Sequence, residues 1–158
     1  MFCVLFVCTG NICRSPTAEG VLRKLANERG LTEHIKIDSA GIGTWHVGDP
    51  PDLRSTETAK QHVVDISGQR ARAIELIDFE AFDLILAMDN SHFQDLKQRC
   101  PEPLLERLGM FMSYATVTKI TEVPDPYYGQ QDGFERVFNM IEDPGKGLLT
   151  KLQDKLAQ

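Results

Sequence analysis

The segment at the start of the chain constrains the fold more than any other. Phe2–Cys8 is a continuous apolar run of strand length, without the alternation of polar and apolar residues that marks a half-exposed strand. Runs of this kind are typical of parallel strands that are buried on both faces of a sheet. We therefore expect Phe2–Cys8 to form a parallel strand that is buried on both faces, with helices covering the sheet on both sides.

Strand and helix patterns alternate along the rest of the chain. Apolar periodicity and the Gly, Pro and Asn punctuation predict three further strands and four helices. The strands are Ile35–Asp38, Leu84–Met88 and Leu104–Leu108, and the helices are 15–30, 52–64, 90–100 and one that starts at Gly133. This alternation predicts an α/β fold with a parallel sheet, and 158 residues suffice for a single domain over 1–158.

Several helix ends carry specific local signals. Ser15-Pro16 favours Ser15 as the N-cap of the first helix, with proline at its first position. Either residue of the pair 90–91 can cap the helix that runs to Cys100. Asp143-Pro144-Gly145 interrupts the apolar stripe of the C-terminal helix with helix breakers, so we expect a kink or break there.

Composition argues against several classes of function. Acidic residues outnumber basic ones by 23 to 17, and the formal net charge of -6 argues against general nucleic-acid binding. No segment has the length of a membrane span or the features of a signal peptide. The four cysteines are too few, and too close to the N-terminus, for a disulfide scaffold, so we expect a cytoplasmic protein with reduced thiols.

The loop after the first strand has the composition of an anion-binding site. It joins a strand to a helix, so its backbone N–H groups can point inward and the helix dipole adds to their positive field. Gly10 and Asn11 accept the positive φ that a tight wrap requires, and Arg14 can return to the mouth to grip two phosphate oxygens. The predicted phosphate-binding loop consists of Thr9, Gly10, Asn11, Ile12, Cys13, Arg14 and Ser15.

Cys8 stands at the base of this loop. The positive field favours its thiolate, and a thiolate at the base of an anion cradle is a nucleophile aimed at phosphorus. Ser15 can donate a hydrogen bond to the sulfur. Alternatively, Cys8 only ends a buried strand and Arg14 is a surface charge, but the strand-to-helix context favours a functional loop. A metal site on Cys8 and Cys13 lacks a second pair of ligands at a usual spacing.

A second candidate group lies late in the chain, at Asp125. Prolines on both sides restrict its backbone, which suits a carboxyl group held rigidly beside a leaving oxygen. An Asp-Pro turn is common in loops, and the presence of the Cys8 loop is what favours the catalytic interpretation. Tyr127 and Tyr128, with Trp45 on another loop, can form aromatic walls that accept a phenyl ring.

With these residues the chain resembles the low-molecular-weight protein tyrosine phosphatases over nearly its whole length. The resemblance implies a twisted four-stranded parallel sheet with helices on both faces. It rests on Val7-Cys8-Thr9-Gly10-Asn11-Ile12-Cys13-Arg14-Ser15-Pro16 and on Asp125-Pro126-Tyr127-Tyr128-Gly129, with Asp38-Ser39-Ala40-Gly41, Trp45, Ala71-Arg72 and Met88-Asp89 between them in the family's order.

The resemblance implies a two-step hydrolysis of phosphotyrosine. Cys8 is the nucleophile that becomes a cysteinyl-phosphate, Arg14 holds the phosphate, and Asp125 is the general acid and then the base that activates water. No metal or cofactor is expected, because Arg14 and the loop N–H groups supply the charge stabilisation. The expected partners are phosphotyrosine-containing proteins, with inorganic phosphate or other oxyanions as competing ligands.

Other residues match the family pattern or depart from it. Gln69 stands where many members have a histidine of the polar network, so we expect the support that this position gives to Asn11 to be altered. The helix breakers at 143–145 are also unusual for the family. Cys13 matches a second loop cysteine, which implies a reversible Cys8–Cys13 disulfide under oxidation. The supporting polar network is matched by Asn11, Ser15 and Ser39, and the substrate walls by Trp45, Tyr127 and Tyr128.

Two other activities share this loop and fold. Thiol-linked arsenate reductases need a resolving cysteine pair on a mobile segment, and residues 66–99 contain no cysteine. Protein-arginine phosphatases have threonine where this chain has Ile12, and they lack the paired tyrosines after the acid. A third alternative is a non-catalytic phosphate-binding or redox-sensing module. The presence of Cys8, Arg14 and Asp125 argues against it.

Overall fold

A four-stranded parallel sheet forms the centre of the computed structural model, which describes residues 1–129 and 132–158. The strands are β1 (Phe2–Cys8), β2 (Ile35–Gly41), β3 (Leu84–Ala87) and β4 (Leu108–Met110), in the order β2-β1-β3-β4. All three pairings are parallel, and β1 pairs with β2 along its whole length. The predicted α/β fold with a parallel sheet is confirmed, and the strand predicted at Phe2–Cys8 lies between two neighbours.

Helices cover both faces of this sheet. They are α1 (Arg14–Glu28), α2 (Leu53–Gln61), α3 (Asp78–Ala81), α4 (Asn90–Arg99) and α5 (Asp132–Leu156), with 3-10 turns at Glu102–Arg107 and Phe111–Tyr114. Helices α1 and α5 pack on one face, and α3 and α4 on the other. Within the described ranges, none of the helices has the length and apolarity needed to cross a membrane.

The side chains of β1 fill both layers of the core, which explains why this strand lacks polar alternation. Val4 and Phe6 face α1 and α5, where the Phe6 ring meets that of Phe111 edge-on with 5.0 Å between centroids. Leu5 and Val7 face α3 and α4. All four β1 side chains are fully buried, and each such burial contributes about 1.5–3 kcal/mol. Both layers therefore assemble on β1.

Two predicted helix caps are wrong. Helix α1 begins at Arg14, so its N-cap is Cys13, which makes no side-chain cap hydrogen bond. Ser15 lies inside the first turn, with its hydroxyl 3.0 Å from the Cys8 sulfur. The N-cap of α4 is Asp89 and not one of residues 90–91, and its carboxylate accepts a backbone N–H bond from the first turn of the helix.

The last strand lies further along the chain than predicted. Residues 104–108 were expected to form it, but Glu102–Arg107 is a 3-10 helix and the strand is Leu108–Met110. Pro101 and Pro103 account for the shift, because proline cannot donate to a strand ladder and suits the start of a helical turn.

Other elements differ from the prediction mainly in length. Strand β2 continues past Asp38 to Gly41. The sequence of residues 39–41 is typical of a turn, but their parallel pairing with β1 keeps them in the strand. Helix α2 ends at Gln61 rather than Val64, and Val63 adopts a φ of 63°, which no helix can contain. Helix α3 has 4 residues, too few for hydrophobic periodicity to reveal it.

Helix α5 runs without interruption through Pro144, so the predicted break at residues 143–145 is wrong. These residues instead contact the preceding loop. Asp143 accepts hydrogen bonds from the backbone N–H groups of residues 116–118 at 2.9, 3.0 and 3.1 Å. Gly147 lies so close to the 3-10 turn before that loop that a Cβ would be 2.0 Å from a carbonyl oxygen. The tertiary contacts outweigh the helical hydrogen bond that proline removes.

We predict that Asp143→Ala lowers the free energy of unfolding by about 1–2 kcal/mol, because three backbone donors lose their acceptor. Desolvation raises the pKa of Asp143, but the backbone hydrogen bonds outweigh it and lower the pKa from 3.8 to about 2. Since the folded pKa is the lower one, this stabilisation is present above about pH 4 and is lost as the pH falls towards 2.

Urea denaturation at pH 7 and pH 3 measures this effect, which should be smaller at pH 3. Asp154→Ala, at an exposed position of the same helix, is the matched control and should change neither value. An equal loss in both variants, or an Asp143→Ala loss that is the same at both pH values, would contradict the role of the Asp143 carboxylate.

Candidate active site

The candidate site lies at the carboxyl ends of β1 and β3. The chain leaves β1 towards β2 on one side and later reaches β3 on the other, which makes this edge the topological switch point where open α/β sheets bind ligands. A cleft of about 330 Å³ opens there. It is lined by Cys8, Thr9, Gly10, Ile12, Cys13, Arg14, Trp45, His46, Asp125, Tyr127 and Tyr128. Three predicted residues, Asn11, Ser15 and Ser39, are buried behind this lining.

The backbone polar groups of the loop are used unequally. The carbonyls of Cys8, Thr9, Ile12 and Cys13 accept hydrogen bonds from other residues. In the part of the chain that the structure describes, no backbone N–H of residues 9–13 donates to a protein acceptor. A row of unpaired N–H groups that leads into a helix N-terminus strongly favours a bound anion.

Asn11 fixes the shape of this loop. Its φ of 59° lies in the left-handed region, which asparagine tolerates better than most residues. Its amide nitrogen donates to the hydroxyls of Ser15 at 2.8 Å and Ser39 at 3.0 Å. Its amide oxygen accepts the backbone N–H of Arg72 at 3.0 Å. All the polar atoms of the side chain therefore hold the loop against α1, β2 and the segment before α3.

Gly41 meets the backbone of the loop closely, whereas Gly10 lies close only to a side chain that can move. Gly10 was expected to have a positive φ, and this is wrong; a Cβ there would lie 2.8 Å from Cδ2 of His46. A Cβ on Gly41 would lie 3.0 Å from the Thr9 carbonyl oxygen and 3.2 Å from the Asn11 nitrogen. The loop therefore closes directly onto the end of β2.

A chain of hydrogen bonds connects the Cys8 sulfur to a buried carboxyl group. The sulfur lies 3.0 Å from Oγ of Ser15, which accepts from Asn11 and so keeps its own hydrogen for the sulfur. Ser39 also accepts from Asn11 and donates to Glu19 Oε1 at 2.7 Å. Burial raises the pKa of Glu19, against the opposing effect of the Ser39 hydrogen bond. The hydroxyl of Ser15 is thereby oriented to stabilise negative charge on Cys8.

Gln69 does not join this network. Its Nε2 donates to the carbonyl of Pro16 at 3.0 Å, and its Oε1 is buried without a hydrogen-bond partner among the described residues. Gln69 therefore supports the start of α1, while Asn11 depends on two serine hydroxyls and a backbone N–H.

The guanidinium of Arg14 is buried below the cleft and is oriented by two other segments. Its Nη1 donates to Oδ2 of Asp89 at 2.8 Å and to the carbonyl of Val123 at 2.9 Å. Nη2 donates to Oγ1 of Thr9 at 3.3 Å, and Nε has no acceptor in the described ranges. The edge formed by Nε and Nη2 therefore remains available for two oxygens of a phosphate group.

Asp125 borders the cleft on the loop before α5. Its Oδ1 accepts the backbone N–H of Tyr127 at 3.0 Å, which forms an Asx turn around Pro126. Its Oδ2 lies 3.7 Å from Nη2 of Arg14, and its side chain is 38% exposed. The carboxyl group is therefore fixed beside the phosphate-binding edge and is accessible to water, as a proton donor to a leaving group must be.

Aromatic side chains form the rim of the cleft. The rings of Tyr127 and Tyr128 meet edge-on with 4.9 Å between centroids, and Trp45 is 73% exposed on the loop after β2. The sequence did not reveal Arg54, whose guanidinium lies over the Tyr127 ring at 5.4 Å. This cation–π contact fixes Tyr127 and with it the loop that carries Asp125.

Cys13 also lines the cleft. Burial, followed by the nearby Asp52 carboxylate, raises the pKa of Cys13 to about 12. Cys13 is therefore a neutral thiol at physiological pH. The four cysteines of the chain are all free thiols.

The contacts of Asp89 and His92 with Arg14 were not predicted, although Met88-Asp89 was recognised as part of the family pattern. The available signal was topological, because Asp89 follows the strand that lies beside β1, at the edge where ligands bind. No local pattern marks His92, whose ring lies 2.8 Å from the hydroxyl of Thr9, a residue 83 positions away.

We predict that Asn11→Ala destabilises the protein by about 2–4 kcal/mol, because buried partners lose their hydrogen bonds and alanine is strained in the left-handed region. The variant should also bind inorganic phosphate more weakly, since the loop loses its support. Chemical denaturation followed by Trp45 fluorescence, and calorimetric titration with phosphate, measure the two effects. Asn27→Ala, at an exposed position of α1, is the control. Unchanged stability and phosphate affinity in Asn11→Ala would contradict this role.

Comparison of the sequence with known proteins is consistent with this geometry. The sequence profile described as low molecular weight phosphotyrosine protein phosphatase matches residues 3–158. The low molecular weight protein-tyrosine-phosphatase YfkJ of Bacillus subtilis is 39% identical over 153 residues, which cover 97% of each chain. The human low molecular weight phosphotyrosine protein phosphatase is 39% identical over 137 residues, which cover 85% of each chain.

Solved structures of such proteins have the same fold. A crystal structure of a protein tyrosine phosphatase from Entamoeba histolytica superposes with a TM-score of 0.95 at 40% identity, covering 98% of this chain and 99% of that one. The crystal structure of YfkJ superposes with a TM-score of 0.92 at 38% identity, covering 98% and 96%. The chain therefore belongs to the low molecular weight protein tyrosine phosphatases, a family of hydrolases.

Proposed function

We propose that the protein hydrolyses phosphotyrosine through a cysteinyl-phosphate on Cys8. The observation that carries this proposal is the convergence of three features on one cleft: the Cys8 sulfur, the unpaired N–H groups of residues 9–13 and the available edge of Arg14. A phosphate monoester held by these donors has its phosphorus in front of the sulfur. Membership of the phosphatase family supports the same reaction.

In the first step the Cys8 thiolate attacks phosphorus, and the bond from phosphorus to the phenolic oxygen breaks. Asp125 transfers its proton to that oxygen, so the product leaves as a neutral phenol. The loop N–H groups and Arg14 stabilise the charge on the other three phosphoryl oxygens. Because these groups supply the stabilisation, neither step requires a metal or a cofactor.

In the second step water attacks the cysteinyl-phosphate. The Asp125 carboxylate accepts a proton from that water, the bond between sulfur and phosphorus breaks, and Cys8 leaves as a thiolate. The hydrogen bond from Ser15 stabilises the departing sulfur. Inorganic phosphate is released from the same donors, so phosphate and other oxyanions act as competing ligands.

The walls of the cleft support an aryl substrate. Ile12 lines it with an apolar side chain, and Trp45, Tyr127 and Tyr128 surround the opening with rings that can stack on or meet a phenyl group edge-on. The expected substrates are therefore phosphotyrosine residues of proteins, whose side chain is long enough to carry phosphate past an aromatic rim.

Oxidation offers a regulatory reaction at the same loop. A peroxide oxidises the Cys8 thiolate to a sulfenic acid, and the Cys13 thiol then displaces water from it to form a Cys8–Cys13 disulfide, which thiols reduce. Because Cys13 is a neutral thiol, it must lose its proton as it attacks the sulfenic acid. The disulfide protects Cys8 from further oxidation once it has formed.

We also infer that residues 1–158 form a single phosphatase domain that acts in the cytoplasm. The family match over residues 3–158 supports the single domain. The four free thiols, with the nucleophile among them, support a reducing compartment.

We predict that the protein hydrolyses phosphotyrosine peptides and 4-nitrophenyl phosphate, and that Cys8→Ser abolishes this activity. Phosphotyrosine, phosphoserine, phosphoarginine and arsenate are assayed with one preparation, and Cys3→Ser is the control. Preferential hydrolysis of phosphoarginine, or arsenate reduction coupled to a thiol, would assign the fold a different activity. Turnover by Cys8→Ser, or loss of wild-type activity in chelator, would contradict the mechanism.

We predict that Asp125→Ala slows hydrolysis of phenyl phosphate by about 100-fold or more, and that of 4-nitrophenyl phosphate much less. A nitrophenolate needs little protonation to leave, whereas an ordinary phenolate needs it strongly. The measurement is kcat/KM for a series of aryl phosphates of increasing leaving-group pKa, with Asp154→Ala as the control. Equal slowing across the series is the result that speaks against Asp125 as the acid.

A further inference from the structure

His92 is a buried titratable residue at the site to which the reaction above assigns no role. It lies on the first turn of α4 and is 3% exposed. Its Nε2 is 2.8 Å from Oγ1 of Thr9 and 3.4 Å from Nη2 of Arg14. Its Nδ1 is 3.3 Å from Oδ1 of Asp89, without the alignment of a hydrogen bond. The ring therefore touches the phosphate-binding loop, the guanidinium and the carboxylate that orients the guanidinium.

The neighbours of the ring determine which nitrogen carries its proton. Arg14 has only donors, so the nitrogen that faces it, Nε2, is the unprotonated one. Nδ1 faces the Asp89 carboxylate, which favours a proton at that atom. Nε2 can then accept the hydrogen of the Thr9 hydroxyl, which leaves a lone pair of Thr9 for Nη2 of Arg14 at 3.3 Å. One ring nitrogen thus orients both a loop hydroxyl and the guanidinium.

Charged groups from three elements face the ring. They are Arg14 of α1, Asp89 and Asp95 at the cap and in the body of α4, and Asp125 on the loop before α5. Burial and then Arg14 lower the pKa of His92 to about 4, against the opposing effect of the carboxylates. The ring is therefore neutral at physiological pH, and a second proton on Nε2 would point at the guanidinium.

We propose that His92 is a positioning residue for phosphate binding, which acts as a neutral acceptor and orients the Thr9 hydroxyl and the Nη2 edge of Arg14. Without this acceptor the hydroxyl is free to rotate and Nη2 loses a partner on the side away from the ligand. A phosphate group must then order both groups itself, which weakens its binding. The use of these groups rests on the proposed function, whereas the state of the ring can be tested without a substrate.

Three substitutions separate the two ring nitrogens. His92→Gln keeps an amide oxygen near the position of Nε2, His92→Asn keeps a polar atom near Nδ1 only, and His92→Leu removes both. We expect His92→Leu and His92→Asn to raise the inhibition constant of inorganic phosphate about tenfold or more, and His92→Gln to recover most of that loss. The dependence of kcat on the leaving group should stay as in the wild type, because Asp125 is unchanged.

The measurements are the inhibition constant of phosphate against 4-nitrophenyl phosphate, KM, kcat and the free energy of unfolding. His62→Gln is the control, because His62 stacks on Phe138 with 4.2 Å between centroids and is not among the residues that line the cleft. A phosphate constant that stays at the wild-type value while all three variants lose stability would overturn the proposal, and so would a glutamine variant as impaired as the leucine variant.

Nitrogen-15 NMR of the wild-type protein tests the same proposal even if a variant fails to fold. A neutral Nδ1–H ring down to pH 5 is the expected result, and an Nε2–H tautomer or an imidazolium at pH 6 would overturn it. Loss of wild-type turnover would count against the proposed function and leave this readout intact. Normal wild-type turnover with an unaffected phosphate constant in His92→Leu would contradict the role of His92 alone.

Discussion

The buried guanidinium of Arg14 is the charge on which the construction of the site depends. A cation that is 3% exposed is strongly unfavourable unless its hydrogens are paired. The acceptors for Nη1 are the carboxylate of Asp89, which follows β3, and the carbonyl of Val123. Val123 is itself held beside β3, because its N–H donates to the carbonyl of Met88 at 2.9 Å. These groups meet Arg14 only because β3 lies beside β1. The orientation of the proposed phosphate clamp is therefore a product of the assembled sheet and not of the loop sequence alone.

The start of α1 combines the requirements of the nucleophile with those of the clamp. Its first two turns supply Arg14, the Ser15 hydroxyl that faces Cys8, and Glu19 at the far end of the polar network. The N-cap residue of the helix, Cys13, makes no side-chain cap hydrogen bond, an omission that typically costs about 1 kcal/mol. The unpaired N–H groups of residues 9–13 lead directly into this uncapped start, so an anion that they bind also interacts favourably with the N-terminal end of the helix dipole. Ligand binding and the stability of α1 are coupled for this reason.

The sequence was sufficient for the parts of the site that depend on local spacing. Cys8 and Arg14 belong to one loop, and the strand that precedes it was recognisable from its unbroken apolar character. Contacts such as Arg14 with Asp89 and Thr9 with His92 join residues 75 and 83 positions apart, so no local pattern could show them. Pro144 failed as a signal for the opposite reason, because contacts distant in sequence outweigh its local preference. The four parallel strands followed from alternation, while the position of the last one depended on prolines in a 3-10 turn.

The charges around Arg14 also set how the site responds to acid. Burial raises the pKa of Asp89, but hydrogen bonds from Ser91, the His92 backbone and Arg14 outweigh it and lower the pKa below 3.8. The pKa of His92 is lowered from 6.5 to about 4. In both cases the unfolded chain binds the proton more readily than the folded one. The stabilisation from His92 is therefore complete above about pH 6.5 and is lost as the pH falls through 4, and the stabilisation from Asp89 is present above 3.8 and is lost at lower pH. Between pH 6.5 and 4 the unfolded state binds a proton at His92, whereas the folded state does not. The burial that keeps His92 neutral beside Arg14 is thus also what makes the fold sensitive to acid.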